Sequence, residues 1–268
     1  MRIAVVQLAY GDEESFEART ERVAGLVSGL SGHDLVVLPE LWAPTGFDYT
    51  RWDGEAQPLD GPWAGAMADA ARSAGVVLHA GSFVERLPEP GVDGNTLANT
   101  SLLFGSDGGL LATYRKVHRF GFGAGEPKLM EAGEEVMVLD LPDGAGGTVR
   151  TGLSTCYDLR FPELYRRQQE AGAELVLVPA AWPAARVGHW TLLGRARAVE
   201  NQCVVVQVNT GGTHARTPMG GHSQVVAANG EVLGEAAHTD EAVLSVDVDL
   251  AATAAYREAF PVLADRRL

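Results

Sequence analysis

The chain has 268 residues, 46% of them apolar, and a formal net charge of −14 from 35 acidic side chains against 21 lysines and arginines. That length holds one large α/β domain or two small ones, and the acidic balance excludes nucleic acid and anionic membrane surfaces as expected partners, because both are bound through clustered Lys and Arg. Two cysteines cannot build a disulfide framework in so long a chain; they point to a reducing compartment, so a cytoplasmic protein is expected.

In chain order, Ile3 to Ala9 reads as a buried strand, and Gly11-Asp-Glu-Glu interrupts it too soon for a signal peptide. No apolar run approaches membrane-spanning length. Phe16, Thr20, Val23, Val27 and Leu30 recur at helical spacing, and Leu35-Val-Val-Leu38-Pro39-Glu40 is a short strand closing on a carboxylate. Leu41 to Asp60, rich in Trp, Pro, Gly and Tyr, has the composition of a loop that lines a pocket. Pro62 to Ala74 predicts a helix, Val76 to Ala80 a strand, and Arg86 to Gly94 an exposed hairpin loop. Leu97 to Phe104 and Leu110 to Tyr114 form a hairpin around Gly105-Ser-Asp-Gly-Gly109.

The glycine-rich connection from Arg115 to Glu126 fits neither phosphate-binding loop pattern, and no cofactor or metal site is expected. Val136 to Leu141 and Val149 to Leu153 are a further strand pair, and Cys156 follows the second directly. Pro162 to Ala171 and Val187 to Gln202 read as helices, with strands at Leu175 to Val178 and Cys203 to Val208. Two strands flank the Asn229-Gly230 turn, and Ala242 to Val248 is the last. No repeat or linker divides the chain, so residues 1–268 are expected to form one domain of about a dozen strands and four or five helices. Cys203, in a run of valines, is expected to pack.

Three of these segments end apolar strands on chemically capable side chains, Glu40, Lys116 and Cys156. Leu38-Pro39-Glu40-Leu41-Trp, Tyr114-Arg-Lys116-Val-His118 and Cys156-Tyr-Asp-Leu-Arg-Phe-Pro-Glu163 resemble the three catalytic motifs of the nitrilase superfamily, the carbon–nitrogen hydrolases. The similarity runs along nearly the whole chain, and the cysteine motif is most similar to the branch of omega-amidases and deaminated-glutathione amidases. The resemblance implies an α/β fold, a four-layer αββα sandwich of two mixed β-sheets commonly joined into a homodimer, and a Glu-Lys-Cys triad that cleaves a small amide through a thioester.

Each implied role has a physical reason. A thiol with an ordinary pKa of about 8.5 is mostly protonated at neutral pH, so a carboxylate in base form, Glu40, must take its proton. Attack on an amide carbon develops an oxyanion, which Lys116 and the backbone N–H of Tyr157 would stabilise. Glu126, in Gly125-Glu126-Pro, matches a second glutamate of the family that orients Lys116 or substrate. Trp182 and Arg186 stand where family members contact substrate, and Arg186 suits a substrate carboxylate. Asp158, Arg160 and Glu163 are expected to be structural, Arg160 as half of a buried ion pair, and His118 to pack. Arg119 and Ser154-Thr155 depart from the usual residues of the family, which leaves pocket shape in doubt. The same triad also serves nitrile hydrolysis and N-carbamoyl cleavage, and a catalytically silent binding or regulatory protein on the same fold is the alternative from another class.

Overall fold

The computed structural model describes residues 1–267. Strands β1 (Arg2–Gln7) and β2 (Ala9–Tyr10) precede helix α1 (Phe16–Ser28), followed by β3 (Leu35–Val37), α2 (Trp52–Glu55), α3 (Pro62–Ala74), β4 (Val77–Arg86), β5 (Leu97–Phe104) and β6 (Leu110–Arg115). After the one-turn helix α4 (Glu126–Leu129) come β7 (Val138–Pro142), β8 (Thr148–Leu153), α5 (Pro162–Glu170), β9 (Leu175–Pro179), α6 (Val187–Asn201) and β10 (Val204–Val208). The chain closes with β11 (Gly211–His214), β12 (Thr217–Pro218), β13 (Ser223–Val226), β14 (Val232–Ala236), β15 (Ala242–Asp247) and α7 (Leu250–Ala259).

Two six-stranded mixed sheets run in the orders β15-β1-β3-β4-β5-β6 and β14-β13-β10-β9-β8-β7. Alternation along each strand decides what they pack against, since successive side chains face opposite sides of a sheet. Ala4, Val6 and Val36 face α1 and α3 together with Trp63 and Met67. Their neighbours Ile3, Val5 and Leu35 meet Leu175, Leu177, Val204 and Val206 of the second sheet. On the far side Val176, Val178 and Val205 cover Leu164, Trp190 and Ala198 of the α5–α6 layer. The result is helix, sheet, sheet, helix, the four-layer sandwich that the family resemblance implies.

The strand count differs. The structure has fifteen strands and seven α-helices among the described residues, against about twelve and four or five expected. The surplus is made of pieces too short to show a period, such as α2, α4 and the small β12-β11-β2 sheet.

Strand direction places the site. β3 is parallel to β4, while β5 is antiparallel to both β4 and β6, so β3 and β6 end on the same edge of the first sheet. β8 and β9 are likewise parallel in the second. Segments leaving these four ends meet in one crevice, where α/β folds commonly bind ligands.

Candidate active site

Glu40 lies three residues beyond β3, in a turn that Ser82 holds through backbone and side-chain bonds to Pro39 and Leu41. The turn needs Gly81, because a Cβ there would sit 1.8 Å from the Pro39 carbonyl oxygen, and Gly81 has φ +70° at a bulge in β4. Arg19 of α1 braces the following loop by donating to the Trp42 and Ala43 carbonyls and to Thr45 Oγ1. Lys116 is the first residue after β6, and its backbone N–H bonds to the Asn99 carbonyl of β5.

Cys156 opens a 3₁₀ turn, Cys156–Arg160, with φ +46°, a conformation rare for a side-chain-bearing residue and suited to a sharp strand-to-helix turn. Asp158 fixes that turn. Its carboxylate accepts from the Thr155 N–H at 2.9 Å, the Tyr114 hydroxyl at 2.7 Å and the His118 N–H at 2.8 Å. Asp158 and His118 thereby join the cysteine turn to the lysine segment, which gives both the structural part expected of them. Arg197 of α6 secures the other end by donating to the Leu159 carbonyl.

Four predicted residues come together almost out of solvent: Glu40, Lys116, Glu126 and Cys156 are 3, 2, 4 and 7% exposed. Lys116 Nζ lies 2.7 Å from Glu40 Oε1 and 2.9 Å from Glu126 Oε2. Burial disfavours the ammonium, yet the charges of Glu126 and Glu40 outweigh it and hold Lys116 well above the ordinary lysine range. Burial first, and then the Glu40 charge, push the Cys156 thiol far above its ordinary value, with Lys116 opposing. Burial also raises Glu126, against the pull of Lys116. Such a site keeps a protonated thiol and a cationic lysine at rest, so an attack by sulfur needs a base beside it, and Glu40 lines the same cleft as the thiol.

Glu40 is well supplied with donors: Lys116 and Asn99 on Oε1, and the Ala181 backbone N–H at 2.9 Å on Oε2. Glu126 also accepts from the Phe120 N–H and from Asn99. It therefore holds the pocket wall and the lysine with one carboxylate.

Tyr157, Trp182 and Arg186 all line the cleft above Cys156, together with Phe47 and Phe120. Trp182 is seated by Asn209, which accepts from its backbone N–H at 2.6 Å. The Arg186 guanidinium lies over the Phe120 ring at 5.6 Å. Arg160 corrects the sequence reading: it forms no ion pair with a carboxylate among the described residues but lies over Trp182 at 4.6 Å and lines the cleft. The nearby buried carboxylate, Asp158, is already saturated by Tyr114, His118 and Thr155. Glu163 is exposed in the first turn of α5, where its charge favours the helix N-terminus. The departures from the family pattern do not reach the cleft, since Arg119 pairs with Asp93 at 2.8 Å and Ser154 bonds to Tyr165 at 2.9 Å.

Asn99 escaped the sequence reading. The only trace of it was a polar trio, Asn99-Thr100-Ser101, inside an otherwise apolar strand. Cys203 packs in the α5–α6 layer, as expected.

Comparison with known proteins gives one picture. The family described as carbon-nitrogen hydrolase matches residues 2–258. The chain is similar to a 2-oxoglutaramate amidase of Paenarthrobacter nicotinovorans, 46% identical over 99% of this chain and 89% of that protein. It is also similar to an omega-amidase of Homo sapiens, 32% identical over 99% of this chain and 95% of the relative. Among solved structures, a CN-hydrolase superfamily protein from Xanthomonas campestris with an arsenic adduct in its active site superposes with a TM-score of 0.86 at 30% identity, covering 100% of this chain and 97% of that one.

Proposed function

This chain belongs to the carbon–nitrogen hydrolase family and is an enzyme of the amidase kind, and from that premise we propose that it hydrolyses the terminal amide of a small 2-oxo carboxylic acid through a thioester on Cys156. The observation that carries the reading is a thiol beside a Glu40–Lys116–Glu126 cluster, under a cleft whose walls hold two guanidiniums, Arg160 and Arg186, without carboxylate partners among the described residues.

The steps follow from the groups present. Glu40 takes the thiol proton as Sγ attacks the amide carbon, and the carbonyl oxygen becomes an oxyanion stabilised by Lys116 Nζ and the Tyr157 N–H. Collapse of the tetrahedral adduct breaks the C–N bond, and Glu40 returns the proton so that ammonia leaves. Water then enters. Glu40 removes its proton, hydroxide adds to the thioester, and the acid departs as Sγ recovers its hydrogen. Glu126 takes no proton in this scheme; it keeps Lys116 charged and aimed.

The substrate class follows from charge. A carboxylate at the far end of the substrate gains charge-assisted bonds from Arg160 and Arg186. An α-ammonium there would face two cations, whereas a 2-oxo group would not, which favours the deaminated acid over the amino acid. The relatives named for 2-oxoglutaramate and ω-amides agree with this choice. Two buried free cysteines suit a cytoplasmic setting, and among the described residues no helix is long and apolar enough to cross a membrane. We also propose a homodimer, supported by Leu192 and Val199, which α6 leaves exposed one above the other at a spacing of seven.

Ammonia release from 2-oxoglutaramate, succinamate-like monoamides, deaminated glutathione, N-carbamoyl amino acids, nitriles and simple aliphatic amides tests the assignment. The 2-oxo acid amide should be turned over fastest. Arg186→Ala should raise its KM by about tenfold or more, the value of one charge-assisted hydrogen bond, and leave KM for an uncharged aliphatic amide unchanged. An unchanged KM for the carboxylate-bearing substrate would remove Arg186 from the substrate site.

A further inference from the structure

We propose that Asn99 is a positioning residue that keeps Glu40 and Glu126 as two separate carboxylates around Lys116, by giving one hydrogen of its side-chain amide to each. The inference rests on the amidase reading and deepens it. Asn99 Nδ2 lies 2.8 Å from Glu40 Oε1 and 2.7 Å from Glu126 Oε1, and the residue is 2% exposed. Its placement is set by the β5–β6 ladder, where the Lys116 N–H bonds to the Asn99 carbonyl at 2.9 Å. Asn99 does not line the cleft, so it acts through the two glutamates and not on substrate.

The need for such a residue is electrostatic. Glu40 and Glu126 both lie within 3.0 Å of one ammonium, giving the trio a net charge of −1 in a nearly dry site. Two carboxylates crowded together relieve their repulsion by sharing a proton. That outcome would disable the mechanism, because a Glu40 engaged in a shared proton cannot take the hydrogen of Cys156. Lys116 draws both carboxylates to a single atom, Nζ.

A neutral side-chain amide supplies what is missing. Its two N–H hydrogens on one atom bridge both carboxylates and bring no charge, and an arginine or lysine there would cancel the negative charge Glu40 needs. The orientation is fixed by its acceptors, since a flipped amide would set Oδ1 against two anions. Oδ1 itself has no partner among the described residues, so the amide's hydrogen bonding is directed wholly at the glutamates. The cleft over the pair also holds the guanidiniums of Arg160 and Arg186; the further titratable groups that interact with it are Cys156, from the turn after β8, and the phenols of Tyr49 and Tyr10, from the loop before α2 and from β2. The thiol and the two phenols are neutral when protonated, and none is a donor bridging both carboxylates.

The test compares wild type with Asn99→Leu, which keeps the shape and loses the donors, and Asn99→Ser, which can give one hydrogen bond. Three readouts are taken: kcat and KM, the pH profile of kcat/KM, and the rate at which iodoacetamide alkylates Cys156. Asn99→Leu should lower kcat by about 10²-fold with KM within about twofold, and move the acid limb of the profile up by about one pH unit. Cys156 alkylation at neutral pH should slow in parallel, and Asn99→Ser should fall between the two. A folded Asn99→Leu with an unmoved acid limb and wild-type alkylation would overturn the proposal, as would a change confined to KM. Should Asn99→Leu fail to fold by circular dichroism, Asn99→Ser decides between the same outcomes on the same readouts. If wild type itself released no ammonia from any amide, the amidase reading would fall, while the alkylation rates would still decide the part played by Asn99.

Discussion

Two buried histidines show how single side chains set the conditions under which this chain stays folded. His79 is fully buried, and its Nδ1 accepts the Gly81 N–H at 3.2 Å; burial pushes it down to about 4. His214, stacked on Tyr10 at 4.0 Å, is pushed down to about 3 by burial and then by the Arg19 charge. Both lie below the ordinary value near 6.5, so below that pH the unfolded chain binds protons that the folded chain refuses, and stability falls with acidification. Between pH 7 and pH 5 each histidine should remove about 2 kcal/mol. Urea unfolding should therefore show His214→Phe, which keeps the ring stack, losing about 2 kcal/mol less than wild type over that interval. Equal losses would show that His214 takes no part. At this scale the sequence told most where residue chemistry was unusual for its setting, as with a carboxylate, a lysine and a thiol each closing an apolar run. It told least where a polar residue hid within a strand, as Asn99 and His214 do, because alternation shows which way a side chain faces but not what it meets there.

At the scale of elements, one helix residue organises the approach to the site. Arg19 of α1 is fully buried and spends its N–H groups on the carbonyls of Gly11, Glu14, Trp42 and Ala43, on Thr45 Oγ1 and on the Glu14 carboxylate. The loop it holds includes Leu41 and Thr45, both with positive φ, and leads from Glu40 to the cleft wall at Phe47. Arg19→Met keeps the apolar stem but leaves several buried carbonyls unpaired, so a loss of about 3 kcal/mol or more in urea unfolding is expected. A loss under about 1 kcal/mol would mean that the loop holds itself. Helical spacing located α1, and the Trp, Pro and Gly content located the pocket loop, but their tie through one guanidinium lay outside any local pattern. Arg160 failed for the same reason: nearness in sequence to carboxylates suggested an ion pair, and the turn sets Arg160 over Trp182 while Asp158 is taken up by Tyr114, His118 and Thr155.

At the scale of the molecule, the site is a joint product of two sheets. Glu40, Lys116 and Glu126 leave strands and loops of the first sheet's half, while Cys156 and the Ala181 N–H leave β8 and β9 of the second. Neither half holds both the base and the nucleophile, so packing between the sheets, through residues such as Val5, Leu35, Leu177 and Val206, is what sets sulfur beside carboxylate. Short apolar runs made the strands legible, and the motif order made the family legible. Sheet order and the meeting of four strand ends came only from pairing across long sequence separations. In the proposed reaction Cys156 carries the acyl group between the two halves. Intact-mass spectrometry after a rapid acid quench during turnover of 2-oxoglutaramate tests it most directly. Wild type should gain the mass of the substrate less ammonia, mapped to Cys156, and Cys156→Ala should gain nothing and release no ammonia; an acyl group or continued ammonia release in Cys156→Ala would contradict the account.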